Sequence, residues 1–187
     1  MDISWLGHAC IRLRTLQTAV VMDPCDKSSG FDMGRPAADI VTISNSDPHH
    51  SHLRGLRGDP IVVDGPGEYE TKGVQLTGIA TYLSAPAAGA KPERNTAFLV
   101  ESEELRLAHL GGLGTQLTTE QAEQLSNIDI LVLPIGGGTT LDAEEATRIV
   151  RTLEPKVAIP VHYPAAGATG DEGDFARWQM GGGASGF

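Results

Sequence analysis

Apolar and polar residues alternate in DISWL (residues 2–6) and CIRLR (residues 10–14), the two-residue period of a strand with one buried face. AVVM (residues 19–22) is a short continuous apolar run halted by Asp23 and Pro24, which predicts a strand covered on both faces. Further strands are predicted over residues 39–43, 60–63, 74–80, 96–101 and 105–110, and the Gly and Pro of DGPGEYE (residues 64–70) predict a tight turn. The period then becomes helical. In LTTEQAEQLSNI (residues 117–128), Thr118 and Gln121 have capping-box spacing, and Ala122, Leu125 and Ile128 share one face. In LDAEEATRIVRTLEP (residues 141–155), Asp142 and Glu145 form a second box, Ala146, Ile149, Val150 and Leu153 make the apolar stripe, and Pro155 stops the helix. Apolar strands follow at residues 130–134 and 156–161. Strands first and helix–strand pairs afterwards indicate an α+β domain in layers, spanning residues 1–163. The Gly- and Ala-rich residues 164–187 read as a loosely held tail.

The chain of 187 residues fits one domain with a real core. Its formal charge of -10, from 14 basic and 24 acidic residues without a basic stripe, argues against nucleic acid as a partner. Cys10 and Cys25 are too few for a disulfide scaffold; they read as free thiols, with one bridge between them left open. The N-terminus lacks the apolar core of a signal peptide, and no apolar run approaches the ~18 residues of a membrane span. A cytoplasmic protein without a membrane partner is expected.

Residues capable of chemistry gather just beyond predicted strand ends: His8, Asp23, residues 45–52, His109 and His162. The densest group is SNSDPHHSH (residues 44–52), which holds three of the chain's six histidines. Two readings stay open for it. Imidazole and carboxylate at close spacing suit a borderline metal such as zinc, and the same residues suit a solvated Asx turn. A lone His such as His109 reads as a hydrogen-bonded structural residue.

Taken in order, WLGHACIRL, VVMDP, ADIVTIS with its His/Asp cluster, GPGEYE, HLGGLG, DILVLPIGGG and IPVHY resemble the metallo-β-lactamase superfamily, in particular its small single-domain bacterial hydrolases related to the ascorbate-phosphate lactonases. The resemblance runs from residue 1 to about residue 163 and implies a four-layer αβ/βα sandwich with the site at one edge between the sheets. It also implies seven metal-ligand positions, at Asn45, Asp47, His49, His50, Leu83, Gly112 and His162, of which His50 and His162 alone keep the residue that the family pattern requires. Leucine and glycine supply no side-chain ligand, so two zinc ions are not expected.

What remains is a set for at most one ion: Asp47, His49, His50 and His162 as candidate zinc ligands, with His8 and Asp47 as candidate catalytic groups. Asp23 is expected to brace ligands from behind, and Gly112 to adopt positive φ. The segments after Ile43 and Val161 should open on a shared cleft from neighbouring strands. The expected function is that of a hydrolase-like protein with a depleted site, acting on an ester, lactone or phosphoester. The alternative is a non-catalytic member of the fold, without metal, that binds a small molecule or another protein, association with a second copy of the chain included.

Overall fold

The computed structural model describes residues 1–84 and 91–163. The predicted C-terminal tail, residues 164–187, lies outside the described residues. The first sheet comprises β1 (Asp2–Gly7), β2 (Cys10–Arg14), β3 (Ala19–Met22), β4 (Ile40–Thr42) and β5 (Ile61–Val63), side by side in that order. β1, β2 and β3 are antiparallel, and β3, β4 and β5 are parallel. The second sheet is built from β6 (Gly67–Thr71), β7 (Val74–Tyr82), β8 (Arg94–Ser102), β9 (Leu105–His109), β10 (Ile130–Pro134) and β11 (Val157–Val161). Its first four strands form an antiparallel meander. β9, β10 and β11 run parallel, with α1 (Thr119–Gln124) and α2 (Ala143–Leu153) in the crossovers.

Alternation along each strand divides the apolar residues between two faces. Ile11, Leu13, Met22 and Ile40 of the first sheet pack against Leu76, Phe98, Val100 and Val132 of the second, forming the central core. The intervening residues face outward. Leu99, Leu131 and Leu133 meet Ala146, Ile149 and Leu153 of α2, while Cys10, Val21 and Val41 lie under Met33 and Leu56. The segment over the first sheet is carried by 3-10 turns at Lys27–Ser29 and Leu53–Gly55. The result is the expected four-layer αβ/βα sandwich, with a thinner outer layer over the first sheet.

Both capping boxes form: Gln121 N–H donates to Thr118 Oγ1 (3.2 Å), and Glu145 N–H donates to Asp142 Oδ1 (2.8 Å). α1 is shorter than its apolar periodicity, because Asn127 turns left-handed (φ 56°) between Leu125 and Ile128, which still pack into the core. DGPGEYE is only partly a turn. From Gly67 it becomes edge strand β6, paired from Gly67↔Gly78 to Thr71↔Val74. Glu68, Tyr69 and Glu70 are all exposed, so this strand has no apolar alternation and is defined by backbone pairing alone. The turn approaches β7 so closely that a Cβ at Gly78 would collide with the Gly65 carbonyl, which only glycine avoids.

Phe98 is fully buried in the central core, among residues of both sheets. Phe98→Ala is expected to destabilise the chain by about 3–5 kcal/mol, read as a lower urea midpoint with an unchanged m-value.

Candidate metal centre

β1, β3, β4, β9, β10 and β11 all end toward one edge of the sandwich, and the backbone makes abrupt turns just beyond them. His8 follows β1, Asp23 follows β3 and His162 follows β11, and all three adopt left-handed backbone (φ 51°, 49° and 60°). Non-glycine residues in this region cost about 1–3 kcal/mol each and persist where the surroundings over-determine them. Here the determinants are visible. Asp23 N–H donates to Thr42 O (3.0 Å), while the His8 carbonyl accepts from Trp5 Nε1 (2.9 Å) and from His162 N–H (3.2 Å). β4 and β11 belong to different sheets, so the segments after Ile43 and Val161 reach the same cleft from opposite sides rather than from neighbouring strands.

Asp23 has no solvent exposure. Its carboxylate accepts from Ser44 N–H (2.8 Å) and Ser44 Oγ (2.6 Å), and Oδ2 lies 2.6 Å from His50 Nδ1. Burial alone would raise its pKa, but the His50 ring outweighs this and holds the group below the usual carboxylate range. An ionised carboxylate only accepts, so the proton between the pair sits on His50 Nδ1, and Nε2 is the ring nitrogen not engaged by Asp23.

His8, His50 and His162 each offer one ring nitrogen, all within 4.8 Å of one another, so these three residues could hold a metal ion. Their ring centroids lie 4.0 Å (His8–His162), 5.3 Å (His8–His50) and 5.4 Å (His50–His162) apart. His8 Nε2 is buried and makes no hydrogen bond, a state that costs about 1–3 kcal/mol unless a ligand satisfies it. Burial, followed by the neighbouring His162 and His50, lowers the His8 pKa to about 2. Burial and His50 lower that of His162 to about 4. Both rings are therefore neutral at neutral pH, the form that donates a lone pair to a metal. Ligand nitrogens in a tetrahedral zinc sphere stand roughly 3.4 Å apart for ~2.0–2.1 Å bonds, so small ring movements would close the set.

Asp47 and His49, expected as ligands, are not among these three. Asp47 Oδ1 accepts the His49 backbone N–H (2.8 Å) in a local turn, and its side chain is 53% exposed. His49 turns its Nε2 to Ser28 Oγ (2.9 Å), with Asp26 Oδ1 at 3.7 Å. Both still line the pocket that holds the histidine trio. Indeed all seven positions that the resemblance singled out line one pocket of about 140 Å³, together with His8, Thr139 and Thr140.

The substituted positions fit one another. Asn45 Oδ1 accepts from Asp47 N–H (3.0 Å), and its Nδ2 donates to Ser44 Oγ (3.1 Å) and Asn95 Oδ1 (3.4 Å). Leu83 fills the space in front of Gly112, where an added Cβ would lie 2.8 Å from Leu83 Cδ2. Among the nearby glycines it is Gly111 that has positive φ (60°), so the obstacle at Gly112 is Leu83 rather than backbone conformation.

Ser44 and Asn95 are structural partners that the sequence reading missed. Asn95 accepts Gly112 N–H (3.0 Å) and donates to Thr81 Oγ1 (2.7 Å) and Leu110 O (2.9 Å). A buried Asn opening the apolar strand RNTAFLV was the available signal. His109 is structural, with Nε2 donating to Ala9 O (2.8 Å) and Nδ1 accepting from Gly111 N–H (3.1 Å).

The family described as "Beta-lactamase superfamily domain" matches residues 2–162. A solved Thermotoga maritima structure, titled a Zn-dependent hydrolase of the metallo-β-lactamase superfamily, is 36% identical, with TM-score 0.72 over 87% of this chain and 76% of its own. This chain belongs to the metallo-β-lactamase superfamily. A UPF0173 metal-dependent hydrolase of Natranaerobius thermophilus is 25% identical over 87% of this chain and 83% of its own length. The fold is shared with a Parabacteroides distasonis protein titled a metal-dependent hydrolase, at 18% identity and TM-score 0.74, covering 99% of this chain and 89% of that one. Metal-dependent hydrolases are thus among the proteins that this member of the superfamily is similar to.

Two outcomes follow from these contacts. Asp23→Asn keeps the size but loses a buried charge-assisted bond, and is expected to cost about 2–3 kcal/mol in chemical denaturation. Gly112→Asp should cost about 1–3 kcal/mol by crowding Leu83, and much of that loss should be recovered in the Leu83→Ala, Gly112→Asp double variant, measured as a thermodynamic cycle.

Proposed function

We propose that this chain is a single-metal hydrolase that holds one zinc ion through His8, His50 and His162 and cleaves a small uncharged ester or lactone. The observation that carries this reading is the buried, unpartnered Nε2 of His8 beside two further imidazole nitrogens. Neutral nitrogen donors suit zinc. A bound zinc ion supplies Lewis-acid polarisation and lowers the pKa of water at the site.

The chain's own residues supply the rest. Asp23 fixes the His50 tautomer and places negative charge behind the cationic site (2.6 Å). Asp47 lines the pocket with Oδ1 committed to the His49 N–H, so Oδ2 is left to take a proton from water. Leu83 excludes water from the wall beside Gly112. Among the described residues no Lys or Arg lines this inner pocket, and Asp47 adds negative charge, which disfavours a phosphoester. The pocket meets a wider cleft of about 790 Å³ that shares Asn45, Asp47, Leu83 and Thr139 and is lined further out by Arg94, Glu93 and Asp64. That cleft offers room for the remainder of a substrate larger than the inner pocket.

Protein purified without chelator should contain one zinc per chain by elemental analysis. His8→Ala and His162→Ala should each abolish retention through dialysis, whereas His49→Ala should retain the ion. The zinc-loaded chain should hydrolyse an aryl acetate or a simple lactone at least about tenfold faster than an aryl phosphoester, a difference of roughly 1.4 kcal/mol in barrier. Two retained ions would overturn the ligand assignment. One retained ion with no turnover of either substrate class would favour the ligand-binding reading, for which the tight packing of Leu83 over Gly112 speaks.

A further inference from the structure

The thiols of Cys10 and Cys25 lie outside the chemistry above, on the outward face of the first sheet. Both residues are free and buried within one apolar cluster, and Cys10 pairs in register with Gly7 across β1 and β2. Cys25 also donates to the Gly7 carbonyl (3.7 Å). Cys10 opens β2 and is closed over by the core, with no solvent exposure. Cys25 differs, because it lines a pocket of about 330 Å³ whose walls include Met33, His52, Lys27, Arg35 and Arg54. One sulfur of the pair is thus reachable by a small molecule, and the other waits behind it.

We propose that Cys25 and Cys10 form a peroxide-oxidisable dithiol in which Cys25 is the attacking sulfur and Cys10 the resolving one. The oxidant is a small hydroperoxide, admitted through the pocket. The Cys25 sulfur attacks the terminal oxygen of the hydroperoxide and the O–O bond breaks. The alkoxide leaves with the proton given up by the thiol, as an alcohol (water, for hydrogen peroxide), and Cys25 becomes a sulfenic acid. The Cys10 sulfur then attacks the Cys25 sulfur, the S–OH bond breaks, and hydroxide leaves with the Cys10 proton as water. Two thiols lose two electrons in total and the peroxide is reduced by two.

The surroundings favour this order of attack. Cys25 lines the pocket whereas Cys10 is wholly buried behind it, so a peroxide entering the pocket meets the Cys25 sulfur first. Lys27, Arg35 and Arg54 line the same pocket together with Asp26 and Asp32, and Lys27 is paired with Asp32 at 2.8 Å.

The test uses the full, reduced chain without added metal, exposed to hydrogen peroxide. These are the protein's only two cysteines, so every thiol lost is assigned without ambiguity. Both thiols should disappear together, the intact mass should fall by two hydrogens, the chain should stay monomeric on a non-reducing gel, and dithiothreitol should reverse the change. In Cys10→Ser, dimedone should trap a sulfenic acid at Cys25; in Cys25→Ser, Cys10 should oxidise at least about tenfold more slowly than Cys25 does in Cys10→Ser. Peptide mapping of the oxidised wild-type chain reads the Cys10–Cys25 link directly, whatever the folding of the variants. Survival of both thiols, disulfide-linked dimers in place of the internal bridge, or oxidation of Cys25→Ser as fast as of Cys10→Ser would overturn the proposal.

Discussion

A carboxylate with no access to water must find all its donors inside the protein, and around Asp23 that requirement organises the site edge. The residue ends β3, yet its donors are Ser44 and His50, both on the segment that follows β4. Satisfying one buried charge therefore ties two strand ends together, orients an imidazole and sets the direction in which the Ser44–His52 segment leaves the sheet. Each bond to an ionised buried group is worth about 1.5–3 kcal/mol, and leaving the carboxylate unpaired would cost more. The arrangement places a buried anion directly behind the cavity, so the cavity is prepared electrostatically for a cation even though its walls are mostly neutral.

The substitutions on the other side of the cavity form a second, apolar and amide-based arrangement. Leu83 occupies the space that a longer side chain at position 112 would need, and Asn45 spends its amide on Ser44 and Asn95. These residues fit one another as a set. The nitrogen atoms that converge belong to His8, His50 and His162, and the His50 ring itself borders Gly112.

Much of the fold was legible because alternation reports burial directly. CIRLR and AVVM have one and two covered faces in the sandwich, and β2, β3 and β10 begin and end where their apolar patterns do. β6 was illegible for the same reason: Glu68, Tyr69 and Glu70 bury nothing, so only pairing with β7 defines the strand. At the site, His50 and His162 were readable as histidines just past strand ends. The inward turn of His8 and the local bonds of Asp47 and His49 were not, because side-chain direction depends on local backbone. A left-handed residue after β1 sends His8 inward, and a short Asx turn commits Asp47 to its own neighbour. Asn95 was signalled only as a polar residue in an otherwise apolar strand, which gives no clue to what it holds.

The left-handed turn at Gly7 and His8 is where the histidine trio and the two thiols come together. On one side the His8 ring faces His50 and His162, and on the other the Gly7 carbonyl accepts from Cys25. Gly7 has φ 116°, and an added Cβ would collide with Phe31, which packs edge-on against Trp5 (5.4 Å). The Trp5 indole in turn holds the His8 carbonyl. Glycine is required at that position both by backbone conformation and by space, and the strained histidine after it is secured by aromatic packing below and hydrogen bonds above. A turn so constrained has little freedom to relax independently of its neighbours. Any change in the bond from Cys25 to Gly7 must therefore be absorbed by the same few residues that aim the His8 ring, which makes the orientation of that ring the most sensitive reporter of events at the thiol pair.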